Sequence, residues 1–182
     1  MNKTAQDHMN GLRSDNADAQ NAAFDYLMKA AETPIDWAYD IWDVVLAALR
    51  HKDGRARAIA AQVLCNLAKS DPKNRMLKDI DALIVVTRDE KFVTARHTIQ
   101  ALWKIGLAGA KQRALVLNRL AGRFADCAAE KNATLIRYDI LVGLRQLFDA
   151  THDAGIRDTA LALIETETDA KYRKKYATVW RI

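Results

Sequence analysis

Apolar positions recur along the chain with the spacing of one face of an α-helix. After Arg57, small or apolar residues stand three, seven and ten positions further on, at Ala60, Leu64 and Leu67. Offsets of 3, 4 and 3 residues bring side chains to one side of a helix that has 3.6 residues per turn. This pattern therefore predicts an amphipathic helix that buries the stripe.

The same stripe occurs five times in the chain. The other copies open at Gln20, Arg137 and Arg173 and, with the arginine displaced by one position, at Ala95. The seventh position after each opening is a large apolar residue, and the five members of this set are Leu27, Leu64, Leu102, Leu144 and Trp180. Successive members are about 40 residues apart, which is a period typical of repeats built from two helices.

A second amphipathic segment precedes each of the last four stripes. These segments begin at Ile35, Met76, Leu115 and Ile156. The chain is therefore predicted to contain an N-terminal helix followed by four helix pairs. All of them belong to a single domain over residues 1–182, in which residues 1–15 form a loosely ordered N-terminal segment.

The repeated units resemble HEAT repeats. The second helix of such a repeat follows a tight turn that contains an aspartate. It opens with a basic residue, which is followed by a small residue three positions later and a leucine at the seventh position. Asp53, Arg57, Ala60 and Leu64 follow that order. The resemblance covers residues from about 16 to 182. It implies an all-α fold, namely a right-handed α-α superhelix (a HEAT-like solenoid) of about four helical hairpins plus an N-terminal helix.

The resemblance also implies a role for the motif arginines. Arg57, Arg96, Arg137 and Arg173 are expected to pair with turn aspartates of the same or the neighbouring repeat. Asp53 and Asp89 are available for this role. Residues at consensus positions of a repeat mostly serve the stacking of one repeat on the next.

Composition and charge agree with a soluble all-α protein. The 182 residues are 50% hydrophobic and 28% charged, with only two prolines and seven glycines, and the net charge is +5. No segment reaches the roughly 20 apolar residues needed to cross a bilayer, and the start of the chain lacks the apolar core of a secretory signal. Cys65 and Cys127 are predicted to be buried free thiols, which points to the cytoplasm.

The sequence contains no recognisable catalytic or metal-binding motif. Its four histidines are scattered at His8, His51, His97 and His152, without a partner at metal-ligand spacing. Zinc-protease, paired-cysteine, phosphate-loop and nucleophile-elbow motifs do not occur. We therefore expect a protein that is not an enzyme and uses neither a metal ion nor another cofactor.

Binding in a solenoid is expected on the concave face, which the second helices form. The candidate residues are polar positions of those helices that lie outside the core stripe, and they are Arg96, Lys104, Arg137, Arg145 and Lys174. The leading hypothesis is a non-catalytic protein-interaction module, a scaffold or adaptor, with a protein partner and no membrane contact.

The alternative is a nucleic-acid-binding HEAT-like protein, related to the HEAT-like proteins that repair alkylated DNA. Those proteins line a concave groove with aromatic and basic side chains and use an acidic residue there, and Asp139 beside Arg137 and Tyr138 resembles that grouping. The segment from Lys171 to Arg181 adds positive charge without any acidic residue. A continuous positive face with exposed aromatic rings favours nucleic acid, whereas a mixed or apolar face favours a protein partner.

Overall fold

The computed structural model describes residues 3–12 and 14–181, and this part of the chain is helical without any β-strand. Its α-helices are α1 (Lys3–Leu12), α2 (Ala17–Ala30), α3 (Ala38–Ala48), α4 (Gly54–Leu67), α5 (Met76–Val86), α6 (Phe92–Leu102), α7 (Ala110–Asp126), α8 (Ala133–Thr151), α9 (Ala154–Glu165) and α10 (Ala170–Ala177). Short 3₁₀ segments follow four of them, at Ala68–Ser70, Trp103–Ala108, Cys127–Ala129 and Thr178–Trp180. The all-α prediction is confirmed, and α2 to α10 correspond to the predicted helices.

The N-terminal segment, for which loose order was predicted, contains a helix that was not predicted. Residues 3–12 form α1, in which Met9 and Leu12 are buried. Gly11 lets α1 approach α2 closely, because a Cβ atom at this position would lie 2.8 Å from the carbonyl oxygen of Ala19. Two apolar residues are too few to give a periodic signal, so this helix is recognisable only from its packing against α2.

The repeated stripe lies in the core of the protein. All five residues at the seventh position are buried, and Leu64 and Leu144 have no exposed surface. The residues three positions into the five copies are buried as well, and they are Ala23, Ala60, Thr98, Ile140 and Tyr176. Burial of one leucine-sized side chain contributes about 1.5–3 kcal/mol. The stripe therefore supplies much of the apolar surface that holds the helices together.

The helix α2 and the second helices of the four pairs, α4, α6, α8 and α10, pack in a row. In this row α2 contacts α4, α4 contacts α6, α6 contacts α8, and α8 contacts α10. Helices α5, α7 and α9 form another row in the same manner. Because the stripe faces the core, the opposite sides of α2, α6, α8 and α10 carry exposed residues, whereas Arg55 is the only exposed residue of α4. We call this surface the second-helix face.

The turns between helices tie successive pairs together. Arg57 on α4 donates from Nε and Nη2 to the two carboxylate oxygens of Asp89, at 2.6 and 2.8 Å, in the turn before α6. The same carboxylate accepts a hydrogen bond from the backbone N–H of Lys91 at 2.8 Å. The predicted pairing of a motif arginine with a turn aspartate is thus confirmed for Arg57.

Both cysteines lie in the core as free thiols, as predicted. Burial raises the pKa of Cys65 to about 12, so its thiol is protonated at neutral pH. Within the described ranges, no helix has the combination of length and apolar character that a membrane crossing requires.

Candidate functional site on the second-helix face

The structure places two of the five predicted binding residues in one groove. Arg96 lies on α6, and Lys104 lies in the 3₁₀ segment that follows α6. Both line a groove of about 500 Å³ between α6 and α8. The other lining residues of this groove are Gln100, Trp103, Tyr138, Asp139, Val142, Gly143 and Gln146. We call it the α6–α8 groove.

The α6–α8 groove has a mixed surface. The half-buried rings of Trp103 and Tyr138 and the side chain of Val142 supply apolar surface. Gly143 is buried beside Trp103, and a Cβ atom here would lie 3.8 Å from the Trp103 side chain. Polar amides from Gln100 and Gln146 complete the lining. This combination suits a ligand that has both apolar and polar groups.

Arg96 and Asp139 form a bidentate ion pair inside the groove. Arg96 donates from Nε and Nη2 to Asp139 at 2.7 and 2.9 Å, and Gln100 donates to the same carboxylate at 3.2 Å. The Asp139 side chain is only 5% exposed. Its hydrogen bonds raise the pKa of the Arg96 guanidinium above its ordinary value. The charge of Arg96 is therefore neutralised within the protein, and the pair links α6 to α8.

Lys104 has a different environment. Its Nζ atom donates to the amide oxygen of Asn66 at 3.2 Å. Burial lowers the pKa of Lys104, the nearby Cys65 opposes this shift, and the positive charge of Lys69 adds to it. Among the residues that the structure describes, no carboxylate lies within ion-pair distance of this ammonium group. Lys104 is thus a half-buried cation with a neutral partner.

Arg137, Arg145 and Lys174 lie outside the α6–α8 groove. Arg137 donates to Glu167 at 2.8 Å, with the two side chains 14% and 7% exposed, and it packs over the Phe124 ring. This pair joins α8 to the turn before α10 and serves the packing of the helices. Arg145 donates to Asp149 and to the carbonyl of Val179.

The two remaining basic positions are exposed. Lys174 and Arg173 both lie on the exposed side of α10. Of the motif arginines, Arg57 and Arg137 contact acidic residues in turns, whereas the partner of Arg96 is a helical aspartate, Asp139. At Arg96, the pairing that the resemblance implies therefore differs, because the partner carboxylate lies on a helix and not in a turn.

A neighbouring groove on the same face was not predicted from the sequence. It has a volume of about 460 Å³ and lies between α2, α4 and α6, and its lining residues are Asn21, Phe24, Arg55, Ala58, Ile59, Gln62 and His97. Arg55, Ala58 and Gln62 stand at helical spacing on the side of α4 opposite the core stripe. The spacing of these residues, on the side of the helix opposite the stripe, is the sequence signal from which this groove could have been predicted.

Across residues 3–12 and 14–181, no group of three or more His, Cys, Asp or Glu side chains is placed to hold a metal ion. No protein-family model matches the chain, and no curated protein sequence matches it significantly.

Proposed function

We propose that this protein is a non-catalytic protein-interaction module, a scaffold or adaptor, that binds a segment of its partner in the α6–α8 groove. The observation that carries the proposal is the mixed character of this groove. Apolar surface from Trp103, Tyr138 and Val142 lies beside an ion pair that is already complete. Protein interfaces typically combine apolar anchors with a polar surround in this way.

The proposal includes a HEAT-like solenoid with a right-handed superhelical path, in which the second-helix face is concave. Its support is the repeated stripe with a period near 40 residues and the row of contacts from α2 to α10. It also includes a cytoplasmic location, for which the two free, buried thiols are the supporting feature.

At three of the five candidate positions, charge pairing favours a protein partner over nucleic acid. Arg96, Arg137 and Arg145 each have a carboxylate partner within the protein. Binding to a phosphate backbone depends on cations that replace the counter-ions of the nucleic acid, and a paired arginine contributes less to this exchange. The carboxylate of Asp139, which the alkylation-repair alternative requires, is buried and accepts three hydrogen bonds.

A peptide-binding selection with matched variants tests the proposal. A random peptide library displayed on phage is selected against the full chain, and enriched peptides are measured by fluorescence polarisation. Val142→Lys extends a long side chain from the lining of the groove, while Val85→Lys makes the same change on α5, where Val85 is 71% exposed. We expect Val142→Lys to weaken binding at least about tenfold, a loss of roughly 1.4 kcal/mol, and Val85→Lys to leave it unchanged.

Two results of the peptide selection would contradict the proposal. A library without enriched binders, or binders that tolerate Val142→Lys as well as Val85→Lys, would remove the α6–α8 groove from consideration. Duplex DNA provides the competing measurement. Tight binding at low salt that weakens steeply as salt rises supports the nucleic-acid alternative.

A further inference from the structure

Lys104 is held in place by a neutral amide. Asn66 is buried, and its amide nitrogen donates to the carbonyl of Gln62 at 2.8 Å and contacts the sulfur of Met28 at 3.3 Å. These contacts orient the amide oxygen of Asn66 toward Lys104. The ammonium group of this groove-lining residue therefore has a defined position next to Asn66 of α4, without a counter-ion from the described part of the chain.

The charge of the Lys104 ammonium group is only partly compensated by this arrangement. Partial burial removes water from an ammonium group and disfavours its charged form. A neutral amide oxygen replaces only part of the lost hydration, whereas a carboxylate forms a stronger, charge-assisted hydrogen bond. An anionic ligand that reaches Lys104 recovers this interaction upon binding.

The rest of the groove defines what else the ligand contains. The Asp139 carboxylate is occupied by Arg96, so it does not neutralise Lys104. A further cation lies close by, because Lys175 Nζ is 5.1 Å from the centre of the Tyr138 ring. The groove therefore has an excess of positive charge next to the aromatic surfaces of Trp103 and Tyr138. It is complementary to a carboxylate adjacent to an apolar side chain.

We propose that the α6–α8 groove binds an acidic segment of a partner protein, with one Asp or Glu carboxylate paired to Lys104 and a neighbouring apolar side chain packed against Trp103 and Tyr138. This inference rests on the proposed function and adds the chemistry of the partner. Within the described lining of the groove, the other cation, Arg96, is already paired, and this leaves Lys104 to meet a single carboxylate. A phosphate backbone requires a series of available cations.

Two synthetic peptide pools test this assignment. Both are fluorescein-labelled 12-residue pools with a fixed central leucine followed by either Glu or Gln, and the other positions are random. We expect the wild-type chain to bind the Glu pool about tenfold more tightly, as one charge-assisted hydrogen bond permits. Lys104→Met retains most of the aliphatic stem but removes the charge, so the preference is expected to disappear while binding to the Gln pool remains.

Lys111→Met is the matched control, because Lys111 is an exposed lysine on α7 outside the groove. It should keep the full preference for the Glu pool. Circular dichroism verifies that each variant is folded, and Lys104→Gln replaces Lys104→Met if the latter is not.

The results separate this inference from the function on which it rests. If wild type binds both pools equally, the acidic preference is refuted and the peptide-binding function stands. If neither pool binds the folded chain, the proposed function fails together with the inference. If a 20-base-pair duplex DNA binds through Lys104 and the pools do not bind, the ligand is a nucleic acid and the assignment is overturned.

Discussion

The buried ion pair between α4 and the turn before α6 leads to a quantitative prediction for Asp89→Ala. The side chains of Arg57 and Asp89 are only 12% and 6% exposed. Removal of one partner of a buried pair costs about 3–5 kcal/mol, because the other charge loses its counter-ion. Arg57 retains the carbonyl groups of His51 and Lys52 as acceptors, at 2.8 and 3.0 Å, and the exposed carboxylate of Glu90 at 3.9 Å. These remaining partners place the loss near the lower limit.

Asp89 also accepts the backbone N–H of Lys91 just before α6. Loss of one such hydrogen bond costs about 0.5–1.5 kcal/mol. Together, these contributions predict that Asp89→Ala lowers the free energy of unfolding by about 3.5–4.5 kcal/mol. Urea unfolding followed by circular dichroism at pH 7 measures this change, provided that the slope of the transition is the same in both proteins.

The chain provides a matched control at Asp126. Arg88 and Asp126 also form an ion pair at 2.6 Å, but their side chains are 43% and 60% exposed. Exposed pairs contribute about 0–1 kcal/mol because water and salt screen them. Asp126→Ala is therefore expected to have a small effect. Equal losses for Asp89→Ala and Asp126→Ala would refute the argument that burial determines the strength of these pairs.

The same pair has a predictable pH dependence. Burial raises the pKa of Asp89, but hydrogen bonds from Arg57 and Lys91 and the charge of Arg57 outweigh this effect, so the pKa lies below the ordinary value of 3.8. A lowered pKa in the folded state stabilises the fold above the unfolded pKa, and this contribution is lost as pH falls through the folded pKa. The stability difference between wild type and Asp89→Ala should therefore be constant from pH 7 to 5 and decrease below about pH 4.

Three further predictions concern the core. Leu102→Ala should lower the free energy of unfolding by about 2–5 kcal/mol, since Leu102 is 1% exposed, and a loss near zero in urea unfolding would contradict the assignment of the stripe to the core. Gly106→Ala should be destabilising because its Cβ atom would lie 2.7 Å from the buried Leu147 side chain. The control is Gly122→Ala on the exposed side of α7, where a Cβ atom meets nothing within 4 Å. This substitution should stabilise the protein by about 0.5–1 kcal/mol. The Cys65 thiol should react with a thiol reagent at pH 8 only upon unfolding, and rapid labelling of the native protein would be inconsistent with its burial.

The helices and the core were predictable from the sequence because helical periodicity is a local property. Leu64 and Leu102 could be assigned to the core from the spacing of their neighbours alone, and both are buried. Asp53 was correctly placed in a turn, where its side chain accepts the backbone N–H of Arg55 at the start of α4. α1 was not predicted because its buried residues gain their partners from other helices, chiefly α2 but also α3 and α4.

The candidate site depended on contacts between distant residues. Arg96 and Lys104 were selected from the sequence for the same reason, as polar positions outside the stripe. Packing gives them different roles, since Arg96 meets Asp139 at a separation of 43 residues and Lys104 meets Asn66 at 38 residues. Periodicity determines which side of a helix is exposed, whereas the packing of one helix on the next determines which charges are neutralised. The sequence by itself thus indicated the exposed sides of the helices. Only the tertiary structure distinguished a completed ion pair from a cation that has no carboxylate partner in the described part of the chain.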